Sequence, residues 1–142
     1  MQVAERIRDD VTAAMKAGDK NRVGALRLVL SELQKDAKEG AGDEQAVLRR
    51  ERKRRRESEQ AYREAGRDDL ATAEAYEAET IEAYLPAELS DDELDALVTS
   101  AVAETGAASP RDMGRVIKQV MEAAGGRADG KRVSTKVKEA LN

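Results

Sequence analysis

The sequence predicts an all-α fold, with a helical N-terminal domain of about four helices and a small C-terminal domain of three helices. Charged residues make up 38% of the 142 residues and aromatic residues only 2%, a composition typical of long helices rather than of sheets. Apolar residues recur at spacings of three and four along the chain, as on one face of a helix. No stretch alternates apolar and polar residues in the manner of a half-buried strand.

Four helices are predicted before Pro86. The first covers residues 2–17, the second about 20–38, the third about 43–65 and the fourth about 68–85. Glycines that follow the periodic segments mark their ends. The apolar face predicted for the first helix comprises Val3, Ile7, Val11 and Met15. The face predicted for the fourth comprises Leu70, Ala73, Tyr76, Ile81 and Tyr84.

The domain boundary is predicted at Pro86, because proline disfavours helix at the residue before it. We therefore assign residues 1–87 to the N-terminal domain and 88–142 to the C-terminal domain. A capping box formed by Ser90 and Glu93 predicts a fifth helix over about 91–104.

Two further helices complete the predicted C-terminal domain. Ser109 is expected to cap the sixth, with Pro110 at its first position. Gly125 and Gly126 are expected to end it. Asp129 is expected to cap the seventh helix, over about 130–141.

The sequence contains no Cys and no His. Disulfides, thiolate zinc sites and Ser-His-Asp arrangements are therefore excluded, and we expect no catalytic residue, metal or cofactor. No apolar run reaches membrane-spanning length, and the first ten residues lack the apolar core of a signal peptide. These features predict a cytoplasmic protein, acting neither on a membrane nor on a small-molecule substrate, that works by binding a macromolecular partner.

A run of basic residues between positions 49 and 56 has two interpretations. It is either a secondary RNA-binding patch or a helix face that is neutralised by the acidic fourth helix and by pairs such as Glu51–Arg55 and Glu59–Arg63. No aromatic residue is interleaved for base stacking, so the structural interpretation is favoured. The basic residues of the run are Arg49, Arg50, Arg52, Lys53, Arg54, Arg55 and Arg56.

The loop after the sixth helix partly matches a phosphate-binding motif. Gly125, Gly130 and Lys131 fit G-x-x-x-x-G-K, but Arg132 stands where Ser or Thr is needed and no strand precedes the loop, so a nucleotide-binding P-loop is rejected. Arg127, Lys131 and Arg132 together with a helix N-terminus could still hold a phosphate. A plain turn capped by Asp129 is the slightly favoured alternative.

A basic face is also predicted on the sixth helix. Arg111, Arg115 and Lys118 are four and three residues apart and therefore share one side. From Thr105 onward there are eight basic and four acidic residues. The end of the chain is thus locally basic, although the whole protein has a net charge of −4.

Three short motifs occur in order along the chain: Tyr84-Leu85-Pro86-Ala87-Glu88-Leu89, Asp112-Met113-Gly114-Arg115-Val116 and Gly126-Arg127-Ala128-Asp129-Gly130-Lys131. Together they resemble the YqeY-like family, which is related to the C-terminal tail of the GatB subunit of the glutamine-dependent aspartyl/glutamyl-tRNA amidotransferase. The segment 14–27 is also similar to the opening of that family.

The resemblance implies two helical domains and a C-terminal unit that contacts tRNA. It also brings the family label of a carbon–nitrogen ligase that uses glutamine as amido donor, although this chain lacks the body and the glutaminase of such an enzyme. Gly114 is expected to serve helix packing. The RNA-binding candidates are Arg111, Arg115, Lys118, Arg127, Lys131 and Arg132.

Three hypotheses follow. The first is a tRNA-binding or tRNA-amidation accessory protein with no catalytic centre of its own, whose partners are tRNA and a translation or tRNA-amidation protein. The alternative is a helical protein–protein interaction module without RNA binding. An independent glutamine-dependent ligase is the least favoured, because glutamine hydrolysis would lack the usual Cys and His.

Overall fold

A computed structural model describes residues 2–142. Over those residues the chain is 81% helical and contains no strand, which confirms the all-α prediction. None of the helices within this range has the length and apolar character needed to cross a membrane. A short 3₁₀ helix, Pro110–Asp112, leads into the sixth α-helix. The α-helices are α1 (Gln2–Ala17), α2 (Lys20–Glu39), α3 (Glu44–Glu64), α4 (Asp68–Glu82), α5 (Asp91–Thr105), α6 (Met113–Ala124) and α7 (Gly130–Leu141).

The helices form two compact units, one ending at Pro86 and the other beginning at Ala87. In the first unit α1 packs on α2 and α3 packs on α4, while in the second α5, α6 and α7 pack on one another. The division into a four-helix domain, 1–87, and a three-helix domain, 88–142, stays a prediction, because compactness does not show that a unit folds alone.

Side-chain caps fix most helix starts where the sequence predicts them. Asp19 accepts a hydrogen bond from the backbone N–H of Arg22 at 3.1 Å, and Asp129 accepts one from Arg132 at 2.8 Å. Ser90 and Glu93 form the reciprocal capping box at the start of α5. These caps pair amide groups that the first turn of a helix leaves without partners.

The start of α6 differs from the prediction. The Ser109 side chain makes no capping hydrogen bond. Instead, Asp112 accepts the backbone N–H of Ala108 at 3.0 Å, so the chain passes through the 3₁₀ turn and α6 begins only at Met113. The Asp112 carboxylate replaces Ser109 as the group that organises this turn.

The core of the first unit consists of small and aliphatic side chains, and its composition corrects two predictions. On α1 the buried residues include Ala4 and Ala14, whereas Met15 is 56% exposed. On α4, Tyr76 is 36% exposed and Ala73 lies on the surface. The main core cluster comprises Ala4, Ile7, Val11, Leu26, Val29, Leu33, Val47, Leu48, Ile81 and Tyr84.

The second unit has a core of its own, to which each of its three helices contributes. On α7 the residues Val133, Val137 and Leu141, which recur at steps of four, are all buried. This core holds α5, α6 and α7 together and leaves their polar faces outside. Its buried residues are Leu89, Leu94, Val98, Ala101, Val116, Val120, Ala124, Ala128, Val133, Val137 and Leu141.

Candidate nucleic-acid interface

The 3₁₀ turn and α6 present three exposed cations, Arg111, Arg115 and Lys118. The Arg115 guanidinium lies 2.5 Å from Asp112 and remains 61% exposed. Across residues 2–142, no carboxylate lies within ion-pair distance of Arg111 or Lys118. In this part of the chain Arg111 and Lys118 are therefore unpaired, whereas Arg115 is held in position by Asp112.

Asp112 anchors this face. Its carboxylate accepts the Ala108 N–H and pairs with Arg115, and these two interactions, in that order, lower the pKa of Asp112 below its ordinary value. The carboxylate is therefore ionised at neutral pH and orients the Arg115 side chain.

Gly114 lies among these three cations. It follows Arg111 by three residues and precedes Lys118 by four, so it faces the same way. A Cβ atom built at Gly114 would meet nothing within 4 Å. The expectation that Gly114 serves helix packing is therefore wrong, and the glycine instead leaves a flat, open patch on the surface.

The two arginines near the glycine-rich turn, Arg127 and Arg132, donate hydrogen bonds to backbone carbonyl oxygens. Arg127 Nε donates to the carbonyl oxygen of Ala87 at 2.8 Å. Arg132 Nη2 donates to the carbonyl oxygen of Leu89 at 3.0 Å and to Asp91 at 3.1 Å. Both side chains thus fix the segment that leads into α5.

A hollow of about 260 Å³ lies beside the start of α7, lined by Lys131, Arg132 and Lys136 with Asp91 and Asp129. The Lys136 ammonium lies 3.1 Å from Asp95, which raises the pKa of Lys136. Within the described chain, Lys131 is the cation of this hollow that has no carboxylate partner. A phosphate here would find one free ammonium, so the anion site stays a prediction.

The basic run on α3 is largely engaged in ion pairs. Glu51 is only 2% exposed and contacts Arg54 at 3.1 Å and Arg55 at 3.3 Å. Arg55 also reaches α4, at 3.7 Å from Glu74 and 3.5 Å from Glu77. The predicted Glu51–Arg55 pair is confirmed, and for Arg55 so is the predicted neutralisation by carboxylates of α4.

Arg56 makes the second connection between α3 and α4. It contacts Glu59 at 2.8 Å and Glu82 at 2.9 Å. Hydrogen bonds to these carboxylates raise the pKa of Arg56. The predicted Glu59–Arg63 pair is also present, at 3.0 Å.

The remaining basic residues of the run differ in exposure. Lys53 is exposed and lies 4.0 Å from Glu57. Arg50 is exposed and Arg49 is half-buried, and neither forms an ion pair with another residue of the 2–142 range. Arg52 has a partner. Two residues of the run, Arg55 and Arg56, therefore connect α3 to α4, whereas Lys53 and Arg54 pair within α3.

Sequence reasoning missed two features of these surfaces. It did not identify Glu51 as a buried carboxylate, although the arginines three and four positions later signal its pairing. It also overlooked Gly24, an exposed glycine within α2 beside the exposed Met15. A glycine inside a periodic helical segment is the signal for such a site.

The comparisons with known proteins give a family assignment over nearly the whole chain. The family model described as "Yqey-like protein" matches residues 4–141. None of the curated proteins searched matches this chain.

Proposed function

Because this chain belongs to the YqeY-like family, we propose that it is a tRNA-binding or tRNA-amidation accessory protein without a catalytic centre of its own. The resemblance of its second half to the tail of the amidotransferase GatB subunit supports tRNA as the partner. On this proposal the amide-forming chemistry belongs to another protein, and the present chain contributes RNA contacts.

The observation that carries the proposal is the α6 face. Arg111, Arg115 and Lys118 surround Gly114, and a Cβ atom at that glycine would meet nothing within 4 Å. An RNA backbone can therefore approach the helix closely while the three cations contact phosphates. Such contacts release counterions and recognise shape and charge rather than base sequence.

The candidates at the glycine-rich turn take different roles in this proposal. Lys131 is exposed and can contact a phosphate directly. Arg127 and Arg132 act as positioning residues, because their hydrogen bonds hold the carbonyls of Ala87 and Leu89. The engaged cations of α3 have no part in RNA binding here.

Fluorescence anisotropy with total tRNA at several salt concentrations tests the proposal. We expect the wild type to bind with a steep salt dependence. The triple variant Arg111→Gln, Arg115→Gln, Lys118→Gln should bind more weakly, with a slope of log K against log salt that is smaller by roughly 2–3, since each lost phosphate contact removes about 0.7–0.9.

A matched control is Lys16→Gln, Lys35→Gln, Lys38→Gln, which removes three exposed charges from α1 and α2. It changes the net charge equally but should leave the slope close to that of the wild type. Equal losses in the two triple variants would show that net charge alone drives binding, and would overturn the assignment of the α6 face.

The second candidate function is a helical protein–protein interaction module. One observation favours it: Met15, in the last turn of α1, is 56% exposed, and Leu28, within α2, is 49% exposed. Retention of a partner protein after nuclease treatment would support this function over RNA binding.

A further inference from the structure

A groove of about 400 Å³ lies where α1 turns into α2, lined in part by Met15, Lys20, Val23, Gly24 and Arg27. Met15 is 56% exposed at this groove. Leu28, 49% exposed, follows Gly24 by one helical turn and extends the apolar surface. Large apolar side chains left exposed in this way are of the kind that a partner covers.

Gly24 has no structural explanation within its own chain. It lies inside α2, where glycine is less favourable than alanine. A Cβ atom built there would meet nothing within 4 Å, so neither a turn nor close helix packing requires glycine. The missing side chain instead widens the groove and lets an outside group approach the helix backbone.

The rim of the groove is basic. In the described range, Lys20 and Arg27 have no carboxylate within ion-pair distance. Arg27 Nη2 lies 3.5 Å from Met15 Sδ and so spans the apolar centre. The Asp19 carboxylate in the lining is occupied by the N–H of Arg22. The groove thus fits an apolar side chain accompanied by a carboxylate.

The outer face of α4 carries that combination. Asp69, Ala73, Tyr76 and Glu79 follow one another at steps of four, three and three, so they share a side of the helix, and all four are exposed. Among residues 2–142, Glu79 has no ion-pair partner, whereas Asp69 lies 3.4 Å from Arg67. The face therefore presents an aromatic ring beside a free carboxylate.

The large apolar side chains exposed in the described chain are Met15, Leu28 and Tyr76. Two belong to the groove side and the third to α4. Within one molecule α4 is held against α3 and α2, so its outer face points away from its own unit. We propose that the α1–α2 groove receives the outer face of α4 from a second copy of this chain.

In this contact the Tyr76 ring lies between Met15 and Gly24 of the other copy, and Glu79 pairs with Lys20 and Arg27. The Arg27 guanidinium also favours an aromatic ring beside it. The contact joins two different surfaces, so it closes into a dimer only if both surfaces of each copy are used, and otherwise extends into a chain. This proposal is independent of RNA binding.

Analytical ultracentrifugation of the full chain, in nuclease-treated preparations, tests the proposal. From roughly 10 μM to 1 mM, a range that suits weak contacts, we expect the average mass to rise above 15.5 kDa. Tyr76→Ala should raise the dissociation constant at least about tenfold. A wild type that stays monomeric throughout this range would overturn the proposal.

Charge reversal makes the test specific to the two surfaces. Glu79→Lys alone and Lys20→Glu, Arg27→Glu together should each weaken self-association, and mixing these two variants should restore it between unlike copies. Lys35→Glu, Lys38→Glu, at the far end of α2, is the matched control and should associate as the wild type does. Circular dichroism confirms that each variant is folded. Failure of the mixture to associate would refute the pairing.

Discussion

The hydroxyl of Tyr84 donates a hydrogen bond to the carboxylate of Asp10, tying the chain that follows α4 to α1. The Arg6 guanidinium lies 5.2 Å from the centre of the same ring, at cation–π distance. Tyr84 is 7% exposed, so the ring belongs to the core while its oxygen is paired.

Tyr84→Phe removes this bond and keeps the ring. We expect it to lower the free energy of unfolding by about 1.5–3 kcal/mol, the usual range for a hydrogen bond to a charged group, measured by urea denaturation at neutral pH. Tyr62→Phe is the control, because no partner binds the Tyr62 hydroxyl within the described chain. Equal effects of the two substitutions would contradict the assigned role of the Asp10 bond.

The raised pKa of Tyr84 predicts that the protein loses stability at alkaline pH. Burial, followed by the hydrogen bond to Asp10 and the charge of Asp10, raises the pKa of Tyr84 from 10.0 to about 12. A raised pKa in the folded state means that this stabilisation is complete below pH 10 and is lost as the pH rises towards 12. Urea denaturation across that interval should show a steeper loss for the wild type than for Tyr84→Phe.

Glu51 is the most buried charged residue of the α3–α4 pair. Glu51→Ala removes the carboxylate that Arg54 and Arg55 share, whereas Arg55 keeps Glu74 and Glu77. We expect a loss of about 1.5–3 kcal/mol in unfolding free energy, the usual range for a hydrogen bond to a charged group. Glu57→Ala is the control, because Glu57 is 66% exposed and its Lys53 contact is 4.0 Å long, and should cause little change. A small effect of Glu51→Ala would mean that water enters the site.

Glu77 predicts a second pH dependence, which like that of Tyr84 begins with burial. Burial and the neighbouring Glu74 raise the pKa of Glu77, although Arg55 opposes them. Since the folded state favours the protonated carboxyl, this stabilisation is present at acidic pH and is lost as the pH rises through the raised pKa. Glu77→Gln, which mimics the protonated form, should therefore stabilise the protein at about pH 7 and matter less near pH 4.5. A larger stabilisation by Glu77→Gln near pH 4.5 than at about pH 7 would contradict this prediction.

Gly114→Ala separates stability from RNA binding. The added methyl group meets nothing and alanine favours helix, so the unfolding free energy should rise by up to about 1 kcal/mol. Gly114→Leu should in addition weaken the proposed tRNA binding, because its side chain would fill the open surface beside Arg115 and Lys118. Gly24→Leu, in the other unit, should leave the tRNA affinity unchanged. Unaltered binding by Gly114→Leu would place the RNA elsewhere.

The helix boundaries were accessible from the sequence because local groups determine them. Asp19, Ser90 and Asp129 cap their helices by hydrogen bonds to amides three residues later, and such bonds follow from spacing alone. The start of α6 was predicted wrongly because both Ser109 and Asp112 could organise the turn before the helix. It is Asp112 that accepts a backbone hydrogen bond there, from Ala108. Propensity does not decide between neighbouring polar groups.

The buried face of α1 was predicted less well, for a geometric reason. Steps of four residues advance a helical face by about 40° each, so a line from Val3 to Met15 winds away from the core. The residues that are buried, Ala4, Ile7, Val11 and Ala14, mix steps of three and four. Small alanines gave a weaker signal than the large side chain of Met15.

The candidate site was only partly accessible from the sequence. The shared face of Arg115 and Lys118 follows from helix geometry, but the bonds from Arg127 and Arg132 to backbone carbonyls of residues 87 and 89 span about forty residues. No periodic pattern encodes such distant contacts. The openness around Gly114 likewise depends on what the other helices leave uncovered.

Arg55 has a consequence for how the sequence can change. One guanidinium serves carboxylates at positions 51, 74 and 77, two of them on another helix. Replacing Arg55 by a neutral residue leaves Glu51, Glu74 and Glu77 without their shared cation, whereas losing Glu77 first removes its repulsion with Glu74. The order of substitutions during evolution therefore matters, because loss of Arg55 is tolerated better after an acid has been lost. Which residue is acceptable at one of these four positions depends on the residues at the other three.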